Sequence, residues 1–250
     1  MDEMLRTCNL CGGYADHKVF DNLSFTIEGP QLVTLLGPNG SGKSTLLKFF
    51  YKELNCKGGM VFVQGRDIMS LSQKEVARHI ALVPQNGRID YDFTVAESVS
   101  MGRYASTRNS SLGEVLSLCN LEMEADKSVL SLSGGELQRV MIARALIQKT
   151  SILLLDEPVS NLDIEHQIAM MRLFKHLARE ENTTVVCVLH DLLLAQVYSD
   201  TVMLLSEGGV VSMGKTEKVI TKDNLENVYH TKTQSLFDPA LQRTVLTPLW

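Results

Sequence analysis

One octapeptide constrains this chain more than any other feature. Gly37-Pro38-Asn39-Gly40-Ser41-Gly42-Lys43-Ser44 fits the pattern G-x-x-x-x-G-K-[ST]. It follows an apolar run, Leu32–Leu36, and opens a stretch with helical character, Ser44–Leu54. A buried strand, a glycine loop and a helix start in that order make a phosphate cradle. Glycines let the backbone turn tightly and approach an anion without Cβ clashes. Successive amides then point at the anion from a helix N-terminus. Lys43 is placed to reach the outer phosphates and Ser44 to offer a hydroxyl to Mg²⁺. Thr45, the next residue of the helix, belongs with the same nucleotide-binding set.

Further apolar runs, Ile80–Val83, Ile152–Leu155 and Thr184–Leu189, are short, rich in Val, Ile and Leu, and read as buried parallel strands. Helical patterns lie between them. In 164–178, Ile164, Ile168, Met171, Phe174, Leu177 and Ala178 recur at three and four, with Glu165, Arg172, Lys175 and Arg179 mostly opposite. Alternating strands and helices predict a mainly parallel sheet covered by helices. Thr201–Leu205 and Val210–Met213, flanking Gly208-Gly209, predict a hairpin. The stretch from about 89 to 149 lacks strong strand runs and is expected to form a helical lobe inserted into the α/β core. The core itself covers about 1–88 and 150–230. The tail from about 231 to 250 shows weak periodicity and is expected only to lie at the surface.

The run Ile152–Leu155 ends in Asp156-Glu157. In an open parallel sheet ligands bind beyond the carboxyl ends of the strands. Asp156 is therefore expected beside the cradle, orienting Mg²⁺. Glu157, sent to a different side by strand alternation, is expected to polarise a water for attack on the γ-phosphate. Alone, two acids at a strand end are commonplace; the upstream cradle gives them a task.

Composition removes several other classes. The 250 residues carry a net charge of −5, which argues against nucleic acid as a partner, because phosphate contacts need clustered cations. No apolar run reaches the ~18 residues of a membrane span. The N-terminus, MDEMLRTCNL, is acidic where a secretory signal is basic. The expectation is a chain on the cytoplasmic side that needs partner chains for any membrane work. Five scattered cysteines form no disulfide framework, and Cys8-x-x-Cys11 lacks the second pair of a zinc site.

Leu132-Ser133-Gly134-Gly135-Glu136, followed by Leu137-Gln138-Arg139, resembles the signature of the ABC transporter ATPases. Locally, Ser133-x-x-Glu136 is a capping box that starts a helix, worth about 1 kcal/mol. The resemblance implies more. It implies a P-loop NTPase core with an N-terminal antiparallel β part and an inserted helical subdomain. It also implies that Ser133, Gly134, Gly135 and Glu136 bind the γ-phosphate of an ATP held by another subunit, so that a homodimer, or a pair with a related subunit, buries two nucleotides. Tyr14 resembles the aromatic that stacks on adenine, and Gln85 the glutamine that contacts Mg²⁺ and the attacking water. Ser160-Asn161-Leu162-Asp163 resembles the loop that crosses the dimer interface, and His190 the switch histidine. By this resemblance the catalytic set is Glu157, His190, Lys43 and Gln85, and the metal set Ser44, Gln85 and Asp156, with ATP and Mg²⁺ as cofactors.

Finer features resemble the importers of iron–siderophore complexes, haem and cobalamin. They are Val83-Pro84-Gln85, Phe93-Thr94-Val95, Met101-Gly102-Arg103-Tyr104, Leu162–Gln167 and His190–Ala195. Such subunits sit on the cytoplasmic face of the membrane against permease subunits, served indirectly by an extracytoplasmic substrate-binding protein. The segment from Tyr104 to Leu132 is shorter than usual for that group, and Val159 stands where the family often has Thr. Alternatives are a zinc or manganese importer ATPase, a soluble ABC ATPase of iron–sulfur cluster assembly, and a nucleotide-binding regulator without significant turnover.

Overall fold

The computed structural model describes the whole chain except residues 1, 15–16, 86, 106–109, 240, 242 and 250. Its centre is a sheet of six strands in the order β10-β9-β3-β8-β7-β6. These are β3 (Leu32–Leu36), β6 (Ile80–Val83), β7 (Ile152–Asp156), β8 (Thr184–Val188), β9 (Thr201–Ser206) and β10 (Gly209–Lys215). The first five run parallel, and β10 returns antiparallel at one edge. Every residue of β3, β7 and β8 is buried. That is why these strands read as continuous apolar runs rather than alternating ones. The predicted hairpin forms between β9 and β10, with Glu207 and Gly208 both at positive φ (48° and 72°), as a tight right-twisted hairpin requires.

Alternation still sorts the two faces. Val33 and Leu35 of β3, with Ile152 and Leu154 of β7, join one core; Leu32 and Leu36, with Leu153 and Leu155, join the other. The first core is capped by α1 (Lys43–Phe50) and by an antiparallel sheet in the order β2-β1-β4-β5. That sheet comprises β1 (Glu3–Tyr14), β2 (His17–Glu28), β4 (Gly58–Val63) and β5 (Arg66–Asp67), followed by α2 (Gln73–His79). Helix α1 ends at Phe50, earlier than the sequence pattern predicts. Lys52 turns left-handed (φ 58°), and the Glu53 amide bonds back to the Lys48 carbonyl, a hydrogen-bonded C-terminal stop.

The second core is covered by α6 (Ile164–Glu180) and by the lobe helices α3 (Val95–Ser100), α4 (Leu112–Leu118) and α5 (Gly134–Leu146). Helix α5 buries Val140, Ile142 and Ala143 in the same cluster as Ala81 and Val83 of β6, so the lobe is fastened to the sheet by shared core. On α6 the predicted apolar stripe is buried from Met171 onward, whereas Ile164 is 76% exposed. The helix start therefore projects past the core.

The remaining elements are α7 (Leu192–Tyr198), α8 (Thr216–Val219), α9 (Lys222–Tyr229), β11 (Thr233–Asp238) and β12 (Arg243–Pro248). The tail is more ordered than its weak periodicity suggests. Strand β11 pairs antiparallel with β12, and Val245 is buried. The Gln196 side chain holds Leu246 from both sides, donating to its carbonyl (2.9 Å) and accepting from its amide (2.7 Å).

Candidate functional site

Because β3, β6, β7 and β8 are parallel neighbours in one sheet, their carboxyl ends lie along one edge. The cradle follows β3, Gln85 follows β6, Asp156 and Glu157 end and follow β7, and His190 follows β8. A cavity of about 630 Å³ opens there, lined by Tyr14, His17, Asn39, Lys43, Ser44, Gln85, Glu157 and His190 among others. The cavity thus gathers residues up to 176 positions apart, with Tyr14 coming from the end of β1 in the antiparallel sheet.

Gly42 is the N-cap of α1 in the left-handed region (φ 99°) and supplies no side-chain cap. A Cβ there would lie 2.7 Å from Phe20 Cζ and 2.9 Å from Val19 Cγ1, so both conformation and packing demand glycine. The first amides of α1 are left for an external acceptor. The Ser41 hydroxyl, in a residue 2% exposed, has no hydrogen-bond partner. A buried unpaired hydroxyl beside the first amides of a helix fits a bound polyphosphate.

Lys43 is 6% exposed and folds over its own loop, donating from Nζ to the Gly37 carbonyl (2.8 Å) and the Pro38 carbonyl (2.9 Å). Burial pushes the ammonium pKa down, opposed by the charges of Glu157 and Asp156. Burial likewise pushes the Asp156 carboxyl up, opposed by the hydroxyl of Ser44, which donates to Asp156 Oδ1 at 3.0 Å. A site that penalises both charges when alone favours a ligand bringing cation and anion together. Among the described residues no three His, Cys, Asp or Glu side chains are grouped to hold a metal. Ser44 and Asp156 instead offer two hard oxygens, which suits Mg²⁺ completed by phosphate oxygens and water.

Glu157 takes its direction from a source the sequence does not reveal. It lies just past β7 with φ 52°, so a left-handed backbone, not strand alternation, aims its side chain. Such a residue costs on the order of 1–3 kcal/mol and persists where surroundings over-determine it. Here the Ser160 amide and hydroxyl donate to the Glu157 carbonyl (3.3 and 3.0 Å), and His190 Nε2 lies 2.7 Å from Glu157 Oε1. The structure therefore brings the expected base and the expected switch histidine into direct contact. Tyr14, at the end of β1, is 41% exposed, with Lys48 Nζ 5.4 Å from its ring centre. It lines the same cavity as the cradle.

Ser133, Gly135, Glu136, Asn161 and Asp163 line a second cavity of about 490 Å³, which shares no residue with the first. Ser133 caps α5 in full: its hydroxyl accepts from the Glu136 amide (3.3 Å), and Glu136 Oε2 accepts from the Ser133 amide (2.8 Å). The Ser133 amide and hydroxyl, both donating to Glu136 Oε2 (2.8 and 2.7 Å), hold that carboxyl below the usual carboxylate range. A Cβ on Gly134 would meet nothing within 4 Å, so the helix start is open to the outside. Asp163 caps α6 by accepting from the His166 amide (2.9 Å). Sequence reasoning missed Arg139 and His166, which also line this cavity. Their spacing from Ser133 and Asp163 as neighbouring helix turns was the available signal.

A glycine-loop cradle at the edge of a parallel sheet, beside a hydroxyl–carboxylate pair and an oriented glutamate, defines a P-loop nucleoside-triphosphatase. The ABC transporter family matches residues 20–160, and the chain belongs to that family as an ATP-binding subunit. It is 37% identical to the ferric enterobactin transport ATP-binding protein FepC of Escherichia coli (strain K12), over 98% of this chain and 94% of that one. It is 36% identical to the hemin import ATP-binding protein HmuV of Escherichia coli O157:H7, over 95% and 96%. It is also 36% identical to the cobalamin import ATP-binding protein BtuD of Halobacterium salinarum, of whose length it spans 61%. Among solved structures, a chain from the inward-facing conformation of an ABC transporter described as of metal-chelate type superposes with TM-score 0.82 at 28% identity, over 100% of this chain and 98% of that one. The ATP-binding cassette MJ0796, dimeric with ADP and Pi, superposes with TM-score 0.77 at 28% identity, over 85% and 99%. Among the described residues no helix is long and apolar enough to cross a membrane.

Proposed function

We propose that this chain powers an importer of metal chelates of the siderophore, haem or cobalamin type. In this reading two copies, arranged head to tail on the cytoplasmic face of a membrane, drive permease subunits that receive cargo from an extracytoplasmic binding protein. One observation supports the two-copy part of the reading: the chain bears two glycine-bearing helix starts, Gly42–Ser44 and Ser133–Gly135, at separate cavities with no residue in common. Each offers amides for the same kind of ligand, and a second copy supplies what each lacks. The names of the relatives supply the substrate class.

Tyr14 stacks on the adenine, and the amides of Gly37–Ser44 (with Pro38, Asn39, Gly40 and Ser41 shaping the turn) hold the phosphates while Thr45 continues the helix. Lys43 leaves the carbonyls of Gly37 and Pro38 to reach the γ-phosphate. Ser44, Asp156 and Gln85 hold Mg²⁺, which when bound neutralises phosphate charge. Glu157 orients the attacking water and accepts its proton, and His190 fixes the carboxylate. Ser133, Gly134 and Gly135 of the second copy grip the γ-phosphate, with Glu136 holding that helix start and Asp163 carrying the loop across the interface. The protein supplies positioning and preorganised charge. Hydrolysis removes the bridge, and the pair reopens and moves the permease through the region 85–104. The test is steady-state phosphate release by the chain alone and with co-purifying membrane subunits. Stimulation by those subunits with loaded binding protein is expected. Co-purification with a soluble assembly scaffold, with no stimulation by membrane subunits, overturns the importer reading.

A further inference from the structure

The second cavity contains a linkage that capping alone does not require. His166, the third residue of α6, directs Nδ1 to both oxygens of Asp163 (2.8 and 2.9 Å), and its Nε2 lies 3.2 Å from Nη1 of Arg139 on α5. Arg139 is 8% exposed and donates from the same nitrogen to the Asn120 carbonyl at 2.8 Å. A guanidinium only donates, so Nε2 must be the acceptor and Nδ1 must carry the proton given to Asp163. The imidazole is thus a directional bridge between two helix starts. On α6, Gln167 adds a second tie by donating to the carbonyls of Val159 (3.1 Å) and Leu162 (3.0 Å). The loop so fixed runs tight against α5: a Cβ on Gly135 would lie 3.3 Å from the Asn161 carbonyl oxygen.

We infer that His166 is a positioning residue that locks the Ser160–Asp163 loop to the Ser133–Gly135 helix start, so that both meet a second copy in one fixed geometry. The inference rests on the two-copy reading above. It assigns to the Arg139–His166–Asp163 chain the task of presenting two separate segments, 27 residues apart at their linking side chains, as a single rigid surface. Arg139 faces Asp163 and Glu136 by charge as well, so its positive end is held at the junction of the two segments.

The chemistry of the imidazole separates this role from plain helix capping. In His166→Asn the amide reproduces the Nδ1 donor to Asp163 but falls short of Arg139. In His166→Gln the longer side chain returns an acceptor to Arg139. Both variants are to be made in a Glu157→Gln background, and ATP-driven dimer formation followed by analytical ultracentrifugation. A hydrogen bond to a charged group sets the scale: His166→Asn is expected to weaken dimerisation at least about ten-fold. His166→Gln is expected to recover most of the loss. ATP affinity of the isolated subunit, read by equilibrium binding, is expected to stay the same in both, because the cradle lies in the other cavity. Equal dimerisation of His166→Asn and its parent, or equal losses in Asn and Gln variants, overturns the positioning role and leaves the two-copy reading standing. Failure of the Glu157→Gln parent itself to dimerise with ATP overturns both.

Discussion

Gly134 separates what one chain needs from what a pair of chains needs. It is the first residue of α5, and a Cβ built on it meets no heavy atom within 4 Å. Its φ is not positive, so alanine fits the backbone without strain. Gly134→Ala should therefore stabilise the single chain by about 0.4–1 kcal/mol, through reduced freedom of the unfolded state and better helix propensity. For a domain of this size that is a rise in Tm of roughly 1–4 °C. If the proposed two-copy arrangement holds, the new methyl would project from the Ser133 helix start toward the other copy's γ-phosphate. Forcing a methyl into a packed contact costs about 1–3 kcal/mol, which is roughly a 5- to 150-fold loss in closure and hence in turnover. The two effects have opposite signs, which makes the pair of assays diagnostic: thermal unfolding without nucleotide, and steady-state phosphate release at saturating Mg-ATP. Wild-type turnover with a raised Tm refutes the assignment of Gly134 to an interface with nucleotide. A fall in Tm refutes the reading of this position as open.

Other consequences follow from the same geometry. Glu157→Gln should retain ATP binding but lose about 10²–10⁴-fold in single-turnover hydrolysis; undiminished turnover removes Glu157 from the chemistry. Burial raises the Asp156 carboxyl pKa, so in the folded apo protein the charged form is the penalised one. That penalty is absent below the unfolded-state pKa and grows as pH rises through the folded-state pKa. Asp156→Asn should therefore raise the apo Tm near neutral pH, with the gain vanishing under acid conditions, while abolishing Mg²⁺-dependent hydrolysis; a gain that persists in acid contradicts the burial argument. Gln196→Ala removes both bonds to Leu246 and should destabilise the chain by about 1–3 kcal/mol through the backbone groups left unpaired; faster hydrogen exchange confined to residues 233–248 is the check.

The sequence carried the sheet and the site to different depths. Strands β3, β6, β7 and β8 are legible because a strand buried on both faces leaves no polar alternation to confuse it. The cradle is legible because phosphate binding restricts residue types within one short loop. Once the strands are parallel, the meeting of Lys43, Asp156, Glu157 and His190 follows from the common edge. What escaped reading depends on backbone detail or on long-range pairing. No residue type announces that Glu157 turns left-handed. The tail hairpin is held by Gln196, some 50 residues away from Leu246, and leaves little apolar period of its own. Ile164 reads as part of an apolar stripe, yet the structure leaves it exposed, next to Asp163 at the start of α6. The Arg139–His166 bridge joins two helices, and the spacing within each points to its own helix start but does not show that the two side chains meet.

The most direct measurement places one reporter in each cavity. With Asn39→Cys and Ser133→Cys combined in a Glu157→Gln chain whose five native cysteines are replaced, a short bifunctional thiol reagent is applied with and without Mg-ATP. A covalent dimer that forms only with ATP, and is absent from either single-cysteine chain, is the predicted result. Crosslinking confined within single chains, or no ATP-dependent dimer at all, would contradict the claim that one triphosphate is held between Gly42–Ser44 of one copy and Ser133–Gly135 of another.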